Sequence, residues 1–185
     1  PVEGSGAQGA LREAAGPGGF VSYVILGLDP AEYCGWAVLD EVGVRLESGV
    51  WDMSSRRHEG GGMRFVRFER HLLELLDWVV STGGTPLVAY EEVARHKGTT
   101  AAHLYGGYVS HITRVCEQRE VPYTGIPVGQ VKKVASGVGN CGKEVMVEQA
   151  TLRWSHTPAD DNEADALWVA EALLVSLNFK SSWRE

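Results

Sequence analysis

The sequence predicts one α/β domain built on a mixed, five-stranded β-sheet with helices packed against it. Three observations support this: short apolar runs of strand length come first, segments of helical period alternate with later strands, and the composition is that of a folded protein. The chain has 185 residues, of which 44% are hydrophobic and 22% charged. That length allows one sizeable core but not two typical domains.

The first three predicted strands follow one another directly. Residues 1–20 are rich in Gly and Ala and have no apolar period, so we expect a flexible N-terminal arm there and a folded domain over 21–180. VSYVILGLD is a continuous apolar run that predicts a buried strand. GWAVLD and VRLESGVWDM flank a turn at 41–43 and predict two more strands, which favours an antiparallel meander.

The rest of the sequence alternates helices and strands before it becomes helical. RFVRFERHLLELLDWVV has helical period and is stopped by Gly83 and Gly84, after which PLVAYEEV predicts a fourth strand. A helix is predicted over 99–120 and a short strand in VPYTGIPV. VGQVKKVAS, KEVMVEQATLRW and a segment beginning near Asp160 predict the last three helices, the final one capped by Asp160 or Asp161.

Charge and residue usage exclude several classes of function. A net charge of −7 argues against a protein that coats nucleic acid nonspecifically, yet residues 92–143 carry seven basic against three acidic residues, which predicts a local basic face. The three cysteines form no CxxC pair, so neither a disulfide framework nor a zinc site is indicated. We expect no membrane span and a reducing, cytoplasmic environment.

Acidic residues occur at three places where predicted apolar elements begin or end. Asp29 ends the first strand, Glu91 ends the fourth, and Asp161 with Asp165 opens the last helix. If the first and fourth strands are neighbours, their carboxylates lie at the same end of the sheet. Asp161 and Asp165 are four residues apart, and Asn162 lies on nearly the same helical face.

Such a cluster of carboxylates predicts a metal site. Like charges in one place take up protons or bind cations, and oxygen ligands select hard ions such as Mg²⁺ or Mn²⁺. Two ions about 4 Å apart would suit phosphodiester hydrolysis, because they activate a water and stabilise the leaving oxygen. Taken singly, an Asp before Pro is often a turn residue and an Asp at a helix start is often a cap.

Four segments resemble the RuvC-type Holliday junction resolvases in order and approximate spacing. They are ILGLDP, AYEEV, PVGQVKKVASGVGNCGKE and NEADALWVA, and the resemblance spans about residues 22–178. It implies a ribonuclease H-like fold and a homodimer that engages a four-way DNA junction. The implied activity is that of a crossover junction endodeoxyribonuclease, which makes paired Mg²⁺-dependent nicks in recombination and repair.

The resemblance also implies roles for individual residues. Asp29, Glu91 and Asp165 stand where the family has metal ligands, and Lys132 and Lys143 stand where it has lysines near the scissile strand. We expect the localisation that such an enzyme would have, the cytoplasm of a bacterium or a phage-infected cell.

Two positions depart from the family pattern. The family has Asp or His where this chain has Asn162, so either Asp161 or the carbonyl of Asn162 is expected to complete the ligand set. Ala94 replaces an aromatic wedge, which suggests a broader range of branched DNA substrates, as in the phage branch of the family.

Two other functions remain open at the level of sequence. Because Asn162 stands where the family has Asp or His, the sequence also allows a protein that binds junctions without cutting them. An actin-like ATP-dependent phosphotransferase also ends its first strand in an Asp-containing turn, although 185 residues hardly hold the second half that such a protein needs.

Overall fold

A computed structural model of the chain describes residues 22–95 and 98–177. The predicted arm over 1–20 lies outside the described residues, and the proposed domain limits of 21–180 stay a prediction. Within the described part the elements follow the predicted order, three strands and then alternating helices and strands.

Five strands and five helices are seen in the described residues, numbered here in chain order. The strands are β1 (Tyr23–Asp29), β2 (Tyr33–Asp40), β3 (Arg45–Asp52), β4 (Thr85–Glu92) and β5 (Tyr123–Pro127). The helices are α1 (Met63–Ser81), α2 (Thr99–Gln118), α3 (Val128–Ser136), α4 (Lys143–Trp154) and α5 (Asp161–Ser176).

The sheet is mixed, with the strand order β3-β2-β1-β4-β5. The first three strands form the predicted antiparallel meander. β4 and β5 are parallel to β1, each reached through a helix, as parallel connections require. The first and fourth strands are therefore neighbours, which is the condition on which the predicted meeting of Asp29 and Glu91 depended, and both strands end at the same edge of the sheet.

The sheet separates two hydrophobic cores because successive side chains of a strand point to opposite faces. On one face, Ile25 and Leu87 pack with residues of α3, α4 and α5. On the other, Leu26 and Val88 pack with α1 and α2. β1 is buried on both faces, which explains why its sequence is a continuous apolar run rather than an alternating one.

Two glycines let α5 approach the sheet closely. A Cβ atom on Gly27 would lie 2.2 Å from the carbonyl oxygen of Ala166, and one on Gly35 would lie 1.8 Å from that of Asn162. Both contacts are with backbone, which does not yield as a flexible side chain would. The first turns of α5 therefore sit directly over the end of β1 and the start of β2.

The helices of the described region are too short or too polar to cross a lipid bilayer.

Substituting Gly27 with Ala should destabilise the protein. The added methyl group forces α5 away from β1, and overpacking of this kind costs about 1–3 kcal/mol. Gly61→Ala is the matched control, since a Cβ there meets no atom within 4 Å. Urea unfolding followed by circular dichroism measures both variants, and equal stabilities would show that the close approach of α5 is not required.

Candidate active site

Asp29 and Glu91 stand side by side at one end of the sheet. The parallel register of β1 and β4 pairs Leu28 with Tyr90, so the two acids follow at the same level on adjacent strands, which are about 4.8 Å apart. Leu87 and Ala89 of β4 face the same core as Ile25 of β1. Strand alternation therefore places both carboxylates on the α5 side of the sheet.

The first turn of α5 brings two more acids to this place. Asp160 caps the helix, its side chain accepting a hydrogen bond from the Glu163 amide at 3.0 Å. The close contact between Gly35 and the Asn162 backbone fixes the height of the helix over the sheet. Asp161 and Asp165, on neighbouring turns, then face the ends of β1 and β4.

Electrostatics show that three of these carboxyl groups interact. Burial, followed by repulsion from Glu91 and Asp165, raises the pKa of Asp29 well above its ordinary value. Burial, together with the charge of Glu91, raises the pKa of Asp165 to about 7. Burial also raises the pKa of Glu91, although the charges of Lys132 and Lys143 oppose that shift.

Lys143 connects the acid cluster to the start of α4. Its ammonium group donates a hydrogen bond to the Asp161 carboxylate, which lowers the pKa of Asp161 and raises that of Lys143. Lys132, on α3, lies close enough to Glu91 and Asp165 for its charge to oppose the rise in the pKa of each. The two lysines therefore border the cluster on its α3 and α4 side.

Asn162 has a different orientation from Asp161. Its side-chain amide donates to the Asp160 carboxylate at 2.9 Å. Asp161, by contrast, acts electrostatically on both Asp29 and Asp165. Of the two alternatives considered for the fourth ligand, Asp161 is the one that lies next to the other carboxylates.

The carboxylates are near one another but are not already arranged around a single point. Among residues 22–95 and 98–177, no three Asp, Glu, His or Cys side chains converge closely enough to hold one ion as they stand. Lys143 holds Asp161 in an ion pair. The carboxylate side chains would therefore have to rotate before three of them could coordinate the same ion.

Glu163 lies between the predicted ligands in sequence, but its role is structural. It is buried and accepts hydrogen bonds from Ser48 at 2.5 Å and the Ala159 amide at 2.7 Å, with His156 at 2.8 Å. Although burial opposes it, these hydrogen bonds lower the pKa of Glu163. The network ties the start of α5 to β3 and to the loop before the helix.

Tyr105 is a second residue that the sequence did not reveal. Its hydroxyl donates to the Glu91 carbonyl oxygen at 3.0 Å and accepts from the Val93 amide at 3.1 Å. It therefore fixes the backbone on both sides of Glu92, at the end of β4. A tyrosine within a helical pattern carries no sequence signal for such a contact, because its partners are set by tertiary structure.

Comparisons with solved structures identify the fold. Thermus thermophilus RuvC in complex with a Holliday junction substrate matches with a TM-score of 0.71 and 21% sequence identity, over 84% of this chain and 95% of that one. Another Thermus thermophilus RuvC structure matches with a TM-score of 0.68 and 22% identity, over 83% of this chain and 95% of that one. The chain has the RuvC fold.

A third structure extends the likeness beyond bacteria. The yeast mitochondrial Holliday junction resolvase matches with a TM-score of 0.57 and 11% identity, over 94% of this chain and 87% of that one. No protein-family model and no curated protein matches the sequence. The predicted ribonuclease H-like α/β fold is thus confirmed by structure at low sequence identity.

Replacing Asp165 with Asn should change how stability depends on pH. In the folded protein its pKa is about 7 against an ordinary 3.8, so its contribution to stability is full below about pH 4 and is lost as pH rises through about 7. In EDTA, wild-type unfolding free energy should fall over this range, and the fall should be smaller for D165N. Urea unfolding at several pH values measures the unfolding free energy of both proteins.

The control for this titration is Asp161→Asn. The pKa of Asp161 is lowered by Lys143, so its contribution is present above the ordinary pKa and lost as pH falls below it. D161N should therefore reduce the unfolding free energy at neutral pH. D165N should have the opposite effect there, because it removes a carboxyl whose ionisation costs stability. Identical pH profiles for wild type and D165N would contradict the interaction of the buried carboxyls.

Removing the Glu163 side chain should loosen the start of α5. Glu163→Ala leaves Ser48, His156 and the Ala159 amide without their acceptor, a loss of about 3 kcal/mol. Glu163→Gln, which keeps one acceptor oxygen, should lose less. Urea unfolding compares the three proteins, and an unchanged midpoint for E163A would show that the network does not support the helix.

Proposed function

We propose that this protein is a Holliday junction resolvase, a structure-selective endodeoxyribonuclease that depends on divalent metal ions. The observation that carries the proposal is the juxtaposition of Asp29, Glu91 and Asp165, three interacting carboxyls with raised pKa values at one end of the sheet. The fold adds support, because two of its neighbours are described as a RuvC bound to a Holliday junction substrate and a Holliday junction resolvase.

The donor chemistry of the cluster fits a hard divalent cation. Asp29, Glu91 and Asp165 supply carboxylate oxygens, and none of them is in an ion pair within the described ranges. Their pKa values are raised by burial and, for Asp29 and Asp165, by repulsion from the charge of Glu91, a penalty that a cation would remove. We infer that Asp29, Glu91, Asp161 and Asp165 would hold Mg²⁺, or Mn²⁺ in its place, as two ions.

The chain's own residues would divide the remaining work between them. When bound, the ions would supply an activated water and stabilise the leaving 3′ oxygen. Lys143 is exposed and paired with Asp161. When Asp161 coordinated a metal ion, the ammonium group of Lys143 would be released to bind a DNA phosphate. Lys132, on the same side of the cluster, would contact a second phosphate. Asn162 would be left to orient Asp160 and the helix start.

The macromolecular partners follow from this assignment. We propose that a homodimer presents two such sites to a four-way DNA junction, since resolution needs one nick in each of two strands. Ala94, exposed and small at the end of β4, favours a range of branched substrates over the four-way junction alone. The phage branch of the family and the cytoplasm of a bacterial or infected cell stay predictions.

A junction-binding protein without cleavage is the second candidate function. The observation that favours it is Asn162, which stands where the resembled family has Asp or His and whose side-chain amide donates to the Asp160 carboxylate. The position of Asp161 beside Asp29 and Asp165 argues for the nuclease instead. A labelled four-way junction incubated with and without Mg²⁺ separates the two functions.

Replacing Asp29 with Asn, or Glu91 with Gln, should abolish cleavage of a synthetic four-way junction while leaving binding intact. Each change removes a charged oxygen from the cluster, so the cleavage rate should fall by more than the about 10- to 100-fold typical of outer-shell partners. Denaturing gels measure cleavage in Mg²⁺, and fluorescence anisotropy in EDTA measures binding.

Glu92→Gln is the matched control, because Glu92 is adjacent in sequence but exposed. It should cleave like the wild type. Retained cleavage in D29N or E91Q would refute the ligand assignment, and absence of cleavage in the wild type under all metal conditions would support the binding protein.

A further inference from the structure

A loop with two exposed arginines follows β3 at the end of the sheet that carries the acids. Residues 54–59, with the sequence SSRRHE, are called the basic loop here. Arg56, Arg57 and His58 are all exposed. Within residues 22–95 and 98–177 neither arginine forms an ion pair, so both guanidinium groups are available to an anion. The loop lies outside the four segments that resemble the resolvases, so the resemblance assigns it no role.

A buried arginine of α1 holds the basic loop in one shape. Arg67 is 7% exposed, and its guanidinium group donates to both carboxylate oxygens of Glu59, at 2.8 and 2.6 Å, and to the Ser54 carbonyl oxygen at 2.7 Å. These contacts join the two ends of the loop. The Glu59 amide also donates to the Arg56 carbonyl oxygen at 3.2 Å, which closes a turn. A backbone fixed in this way loses little conformational freedom when its arginines bind a ligand.

A second arginine of α1 ties the basic loop to the turn that follows Asp29. Arg64 donates a hydrogen bond to the Ser55 hydroxyl, and its guanidinium group lies 3.6 Å from the Glu32 carboxylate. The Met53 amide donates to the Glu32 carbonyl oxygen at 2.8 Å. Because Glu32 is only three residues after Asp29 in the sequence, these contacts hold the loop at a set distance from the carboxylate cluster.

The positive groups that border the cluster lie toward opposite edges of the sheet. Lys132 belongs to the helix after β5, which is one edge strand, and the basic loop follows β3, which is the other. β3 is two strands from β1, a distance of about 10 Å. A duplex that extended from the cluster toward β3 would reach the loop after about three base pairs, since each pair adds about 3.4 Å along the helix axis.

We propose that the basic loop binds backbone phosphates of the duplex arm that leads away from the scissile phosphate, through Arg56 and Arg57. The proposal rests on the nuclease function proposed above. A guanidinium group can bind a phosphate through two parallel hydrogen bonds, and such contacts position DNA without reading its sequence. A loop held at a set distance from Asp29 would therefore fix the arm, and with it the phosphate that is presented to the carboxylates.

The salt dependence of DNA binding tests how many phosphates the loop contacts. The wild type and a double variant, Arg56→Gln with Arg57→Gln, are titrated with a synthetic four-way junction in EDTA, and affinities are measured by fluorescence anisotropy. Each phosphate contact adds about 0.9 to the slope of log affinity against log salt. Raising the salt from about 50 to about 200 mM should therefore weaken binding by the wild type about tenfold more than binding by the double variant.

Arg119→Gln is the matched control for the single change Arg57→Gln. Arg119 is also an exposed arginine, but it ends α2 just before β5 begins. Since β5 and β4 are both parallel to β1, that point lies at the end of the sheet opposite Asp29. Each variant loses one positive charge. R57Q should reduce the salt slope by about 0.9, whereas R119Q should keep the slope of the wild type.

A scan with neutral phosphates locates the contact on the arm. Junctions that carry one methylphosphonate at successive positions are bound to the wild type in EDTA, and the cleavage site found in Mg²⁺ gives the reference position. A methylphosphonate about three base pairs from that site should weaken binding by about tenfold, as expected for a charge-assisted hydrogen bond. The double variant should lose this sensitivity, because the same interaction is then removed twice.

The outcomes separate this inference from the function on which it rests. A wild-type salt slope in the double variant, or losses from methylphosphonate and arginine changes that multiply, would overturn the arm contact while leaving the nuclease in place. Equal affinity of the wild type for a junction and for a linear duplex, with no cleavage under any metal condition, would overturn the proposed function itself.

Discussion

Repulsion between carboxylates at one end of the sheet is the constraint on which the rest of the structure depends. Burial and like charge together keep the pKa of Asp29 far above its usual range and that of Asp165 at about 7. A folded protein tolerates such a group of acids when protons or cations neutralise them. The lysines beside the cluster compensate in part, through the pairing of Lys143 with Asp161.

The fold brings these acids together by backbone geometry. Parallel pairing of β1 with β4 aligns Asp29 with Glu91, and strand alternation turns both toward α5. Glycines at 27 and 35 let that helix lie directly on the sheet. Glu163 then ties the start of the helix to β3, so that its neighbours in sequence face the strand ends.

The order of elements and the main acids could be predicted from the sequence because both depend on local patterns. Apolar periodicity and glycine stops mark the elements, and the adjacency of Asp29 and Glu91 follows once β1 and β4 are taken as neighbours. The task of Glu163 could not be predicted, since its partner Ser48 lies 115 residues away. The contact of Tyr105 with the backbone on either side of Glu92 could not be predicted either, because it depends on how α2 packs against the end of β4.

The central claim is that cations relieve the repulsion among these carboxyls, and proton release on metal binding tests it most directly. Mn²⁺ is titrated into the wild-type protein at about pH 6.5 by calorimetry, in two buffers that differ in ionisation enthalpy. At this pH Asp165 is largely protonated, so the account predicts binding with release of about one proton or more per chain, reduced in D165N. Binding with no proton release, or no binding at all, would contradict it.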